Sequence, residues 1–197
     1  MAIYIKISKN NISAIEKKFN IGKIISYSGI KKGIENTNYL LKTKNQKYIL
    51  TIFGKRVEKK DIPFFINLMS KLNKFKINCP VPQRNKKGNS LFYIKNKPAL
   101  IVSYVNGKDK TKLSIKNCYD IGKHVAKLHN ASKKIKLYRK NSMSLPSWKK
   151  ILNKIGNRCK VIDPNLKELM KENLKDIKKK VAKKTFQWNC SWGFIYR

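Results

Sequence analysis

Acidic residues are scarce in this chain: 10 Asp and Glu stand against 47 Lys and Arg in 197 residues, a formal net charge of +37. Arginine is scarce within that excess, present only as Arg56, Arg84, Arg139, Arg158 and Arg197, so the charge is carried almost wholly by lysine. A specific nucleic-acid reader is therefore not expected. Base and phosphate recognition favours the bidentate guanidinium fork, and the lysines are spread along the whole chain. Lys, Asn and Ile, all abundant here, have the codons richest in A and T, which gives the charge a compositional origin. Only non-specific binding to polyanions at low salt is expected from it.

Paired cysteines are missing too. Cys79, Cys118, Cys159 and Cys190 include no Cys-x-x-Cys pair, which argues against a zinc site and a disulfide framework. His124 and His129 lie five apart, not at the i,i+4 spacing of a helical metal pair, and are read as structural. No apolar run reaches the length of a membrane span, and Met1 to Lys6 lacks the build of a signal peptide, so no membrane partner is expected and the cytoplasm is the expected compartment. There is no internal repeat and no long Gly/Ser linker. A hydrophobic share of 41% nonetheless calls for a folded protein, with length for one domain or two small lobes.

The stretch from Gly29 to Val57 organises the rest. Tyr39-Leu40-Leu41 and Tyr48 to Phe53 read as two strands joined by a turn at Lys44-Asn45-Gln46. Gly29 and Gly33 flank a loop whose backbone can approach a phosphate, since glycine carries no Cβ. Two antiparallel strands under a glycine-containing loop, followed by a helix, suit the nucleotide-gripping lobe of a kinase-like fold. They suit an ordinary hairpin equally, and spacing alone leaves both open.

Along the chain, Ile12, Ile15 and Phe19 recur at helical spacing and stop before Gly22, and Lys23 to Ile30 reads as a first strand. Asp61 opens a helix with Pro63 in its first turn and Phe64, Phe65, Leu68, Met69 and Leu72 on its apolar face. Cys79-Pro80-Val81-Pro82 is an extended connector. Leu91 to Ile94 and Pro98 to Val105 form a second hairpin around Lys95-Asn96-Lys97, and Asn106-Gly107 marks a lobe boundary. Ser114 opens a helix with Ile121, Val125 and Leu128 on one face, ending near His129-Asn130. Two more helices follow, one from Pro146 through Trp148, Ile151, Leu152 and Ile155, and one from Asp163-Pro164 carrying Leu166, Leu169, Met170, Leu174 and Ile177.

Six segments in this order carry a resemblance: Ser26 to Thr43, Lys47 to Val57, Asp61 to Leu72, Cys79 to Arg84, Pro98 to Gly107 and Ile121 to Ser132. Together they resemble the homoserine kinases related to aminoglycoside phosphotransferases, from residue 1 to about residue 184. The segment Gly33-Ile34-Glu35-Asn36-Thr37-Asn38-Tyr39 and the Asp61-Ile62-Pro63-Phe64-Phe65 helix start point to homoserine kinase in particular. The resemblance implies an α+β, protein-kinase-like bilobal fold: a nucleotide-binding lobe over 1–105 and a partial helical lobe over 106–184. It implies ATP and Mg²⁺ as cofactors and transfer of the γ-phosphoryl to the hydroxyl of L-homoserine. Gly33, Asn36 and Asn38 would sit over the phosphates, and Ser103 to Val105 would offer backbone hydrogen bonds to adenine. Thr51 stands where many relatives carry a phosphate-binding lysine or arginine, with Lys55 and Arg56 just beyond as candidates for that charge.

The same resemblance leads one to expect a His-x-Asp-x-x-x-x-Asn catalytic loop and a downstream Asp for metal, and the sequence contains neither. No catalytic residue and no metal ligand is therefore assigned, and the chain by itself is expected to be inactive and to bind ATP weakly or not at all. Residues 185–197 match nothing expected of the family. Back-translated into A/T-rich codons and read one base later, they give His-Phe-Asn-Gly-Ile-Val-His-Gly-Asp-Leu-Phe-Ile, which carries the His-x-Asp start of such a loop. An out-of-frame tail beginning after Lys183-Lys184 is the expectation. The alternatives are another small-molecule kinase of the aminoglycoside or choline type, a nucleotide-binding pseudokinase, and a lysine-rich nucleic-acid-binding protein.

Overall fold

The structure, a computed structural model, describes residues 5–31, 33, 35–54, 57–107, 110–141 and 144–183, with residues 181–183 described by backbone alone. The chain packs as two compact units, 1–137 and 138–197.

The first unit is built on one antiparallel sheet. Its strands are β1 (Ile24–Ile30), β2 (Thr37–Thr43), β3 (Lys47–Ile52), β4 (Phe92–Ile94) and β5 (Lys97–Ser103), in the spatial order β1-β2-β3-β5-β4. Gly29 lies near the end of β1 opposite Tyr39, within the strand expected over Lys23 to Ile30. The β4–β5 turn places Lys95 and Asn96 both at positive φ, 48° and 60°, the paired left-handed geometry that matches the twist of a two-residue hairpin.

Alternation along the strands divides the core in two. Tyr39, Leu41, Leu50, Ile52 and Ile101 point to one face, where helix α1 (Lys9–Lys18) and the residues after it bring Ile12, Ile15 and Phe19 against them. Phe19 meets Phe92 edge to face at 4.9 Å. Ser8 caps α1 by a reciprocal box with Asn11: Asn11 N donates to Ser8 Oγ at 3.4 Å and Ser8 N to Asn11 Oδ1 at 3.0 Å. On the opposite face, Leu100 and Val102 pack with Phe53 and with Ile62 of helix α2 (Ile62–Lys74), and Ile49, Ile66 and Met69 complete this second cluster.

Helix α3 (Ile115–Lys133) is capped by Ser114 and Asn117 in the same reciprocal way. It runs past the end expected at His129-Asn130, because Asn130 to Lys133 holds neither Gly nor Pro to stop it. Ala131 is buried, and Ser132 Oγ donates to the Leu128 carbonyl at 2.7 Å. Ile121 and Val125 remain exposed among the described residues.

In the second unit, helix α4 (Leu145–Ile155) has Pro at its start, where the missing N–H is no loss. Gly156 at φ 58° turns the chain into a 3-10 segment, Gly156–Val161, before helix α5 (Leu166–Lys183). Leu152 and Cys159 are buried, and an apolar groove of about 310 Å³ between α4 and α5 is lined by Trp148, Ile151, Met170 and Leu174.

Candidate functional site

The sheet face opposite α1 can be followed strand by strand from the register. One row across it is Ser28, Leu40, Ile49 and Val102, and the next is Ile30, Asn38, Thr51 and Leu100. Helix α2 covers the β3–β5 half of these rows through Ile49, Leu100 and Val102. The β1–β2 half is left half-open: Ile30, Asn38, Leu40 and Thr51 are half-buried and Ser28 is exposed. A surface of this kind, apolar with a few polar groups at one end, suits a flat ligand with a polar tail.

The polar end lies where the β1–β2 loop meets the end of β3. Thr51 Oγ1 donates to Asn38 Oδ1 at 2.8 Å across the strand pair. Gly54 N donates to Asn36 Oδ1 at 3.1 Å. A Cβ on Gly54 would overlap the Glu35 carbonyl oxygen, so the loop passes over this position at backbone distance. Thr37, between the two asparagines, is buried. Gly33 sits exposed in the loop at φ 129°, a conformation open to glycine and strained for other residues.

The other end of the face lies at the end of β5. Ser103 pairs with Tyr48, three residues before Thr51, so the two ends are about 10 Å apart along β3. Ser103 N donates to the Val81 carbonyl at 2.9 Å, its Oγ accepts from Val81 N at 2.9 Å, and Tyr104 N donates to the Lys47 carbonyl at 3.1 Å. The extended 81–83 segment thus covers the outer edge of β5. Lys47 Nζ lies 5.6 Å from the centre of the Tyr104 ring, and Val105 is partly exposed just beyond.

Of the residues expected to bind ATP, the structure brings Asn36, Asn38 and Thr51 together, with Gly33 in the same loop and Ser103 and Val105 at the far end. Lys55 and Arg56 lie outside the described residues, as does the tail 185–197. Thr51 is engaged by Asn38 in a neutral hydroxyl–carboxamide pair. Among the described residues no group of three or more His, Cys, Asp or Glu side chains converges. Ile30, Leu40 and Gly54 belong to the site and are not evident from sequence patterning. The first two follow only once the strand register is known. A glycine directly after a β-branched run is the signal that could have drawn attention to Gly54.

Comparison with known proteins bears on the family and the fold. The chain is 35% identical over 168 residues to the homoserine kinase of Agrobacterium fabrum, covering 85% of this chain and 52% of that protein. It is 34% identical over 166 residues to the homoserine kinase of Mesorhizobium japonicum, covering 84% and 52%. The chain therefore spans about half the length of the curated relatives it matches. Among solved structures its fold is similar to that of a spectinomycin phosphotransferase in complex with ADP and spectinomycin, with a TM-score of 0.57 at 13% identity over 78% of this chain and 47% of that one. An amicoumacin kinase in complex with AMP-PNP and Ca²⁺ gives a TM-score of 0.54 at 13% identity, covering 68% and 42%. The α+β, kinase-like architecture implied by the sequence is the one observed. Residues 26–181, most of the described chain, match the phosphotransferase enzyme family, and the chain belongs to that family.

Proposed function

We propose that this chain is the nucleotide-binding part of an ATP-dependent homoserine kinase. What carries the reading is the 33–35% identity to homoserine kinases over 84–88% of the chain. In the reaction, the bond between the γ-phosphorus and the ADP oxygen breaks. A bond from the same phosphorus to the homoserine hydroxyl oxygen forms, and the hydroxyl proton leaves.

In this reading the half-open face takes ATP. Ile30 and Leu40 contact the base and sugar, and the loop from Gly33 to Asn38 covers the phosphates. Because the Ser103 and Tyr104 amides are committed within the fold, the Ser103 carbonyl and the Val105 amide are the groups offered to adenine. With Thr51 in a cation's place, Lys55 and Arg56 are the proposed source of positive charge at the phosphates. Such a site works by positioning and charge neutralisation. Mg²⁺ would neutralise phosphate charge. Loop, lobes 1–105 and 106–184, and a cytoplasmic location all belong to this proposal.

Residues 185–197 are proposed to be read out of frame. DNA across the codons of Lys183 and Lys184, carrying the loop sequence one base later, is the expected finding. The protein expressed in that frame should phosphorylate L-homoserine with ATP, while the chain as given should not turn over. Phosphorylation of an aminoglycoside but not of homoserine by the frame-restored protein would overturn the assignment.

A further inference from the structure

Two side-chain bonds lie between the β1–β2 loop with the start of β2 and the end of β3 with the residues after it. Thr51 to Asn38 is a cross-strand bond between paired residues, as sheets commonly have. Gly54 to Asn36 is different, because it joins a loop side chain to a backbone amide 18 residues away, beyond the last pair of the β2–β3 ladder. A backbone N–H can only be accepted by the oxygen of a carboxamide, so this contact fixes which way Asn36 faces. The Glu35 carbonyl beside it approaches Gly54 so closely that only a residue without Cβ fits. One residue thus supplies an amide and no side chain, and its partner supplies the acceptor. The pair sets how far the loop stands from the sheet.

We propose that Asn36 is a positioning residue: its carboxamide fastens the β1–β2 loop to Gly54 and so sets the height of the loop over the phosphate end of the face. The proposal deepens the nucleotide reading above and rests on it for its consequence. Glycine-containing loops are intrinsically free to move, and a loop that must be ordered by its ligand binds more weakly by the cost of ordering. A loop already held by Asn36 escapes part of that cost. Its effect falls on the phosphates and not on the base, which lies toward the other end of β3.

The test uses the full isotopically labelled chain with three forms: wild type, Asn36→Ala and Asn36→Asp, the last keeping an acceptor for Gly54. Hydrogen exchange of the Gly54 amide reads the fastening directly. Removing one neutral hydrogen bond should speed that exchange by about tenfold in Asn36→Ala, and Asn36→Asp should restore protection. Amide shift titrations with ATP and with adenosine then read the consequence: Asn36→Ala should weaken ATP several-fold and leave adenosine unchanged. Equal Gly54 exchange in wild type and Asn36→Ala overturns the proposal. So does faster exchange with an unchanged ratio of ATP to adenosine affinity. A wild-type chain that binds neither ligand, while Gly54 still responds to Asn36, overturns the nucleotide reading and upholds the fastening.

Discussion

At the scale of single residues, the environments of the cysteines differ enough to order their chemistry. Cys79 is half-buried with its Sγ directed at the Met69 carbonyl at 3.5 Å, and burial pushes its thiol above the ordinary range. Cys159 is buried and donates to the Gly156 carbonyl at 3.0 Å, while Cys118 is exposed on α3. Because the thiolate is the nucleophile, iodoacetamide at mildly alkaline pH should label Cys118 well before Cys79 and Cys159, as read by peptide mass. Labelling of Cys79 first would contradict the packing of the connector against α2. The sign for stability follows. The folded state favours the neutral Cys79 thiol, so its contribution is complete below the ordinary thiol pKa and is lost as pH rises through the raised value. At this same scale the sequence is least legible. Asn36 is identifiable as a loop residue, but its bond to Gly54 depends on where the chain returns 18 residues later, and no local pattern encodes that.

At the scale of elements, legibility tracks how local the causes are. The β2–β3 hairpin can be read in advance because β-branched and aromatic residues alternate around a polar turn, and the observed pairing Tyr39–Leu50 and Leu41–Tyr48 follows from it. The start of α3 is legible at Ser114. The cap of α1 at Ser8 is masked by a polar run that reads equally well as the helix start. Which sheet face carries a ligand is not legible, since Leu40 and Leu41 are chemically alike and only the register sends one into the α1 core and the other to the half-open face. The two leucines give a test. Leu41 is fully buried, so Leu41→Ala should cost about 2–5 kcal/mol in urea unfolding of the first unit. Leu40→Ala should cost clearly less and act instead on ligand affinity. Equal destabilisation by both would mean that the face opposite α1 is closed.

At the scale of the whole molecule, charge and fold make opposed forecasts. A net charge of +37 draws any polyanion at low salt, ATP included. Such binding has no preferred address and weakens steeply as salt rises. In the proposed reading the kinase-like sheet instead gives ATP a fixed address, the face bounded by Ile30, Leu40, the Asn36–Gly54 tie and the end of β5. Among the described residues no helix is long and apolar enough to cross a membrane. The most direct measurement is a shift titration of the labelled chain with ATP up to millimolar concentration at physiological salt. The account predicts changes clustered at Ile30, Asn38, Leu40, Thr51, Gly54 and Val105, persisting when salt is doubled. Changes spread over the lysines of α3 and α5 that vanish with added salt, and none on that face, would contradict it.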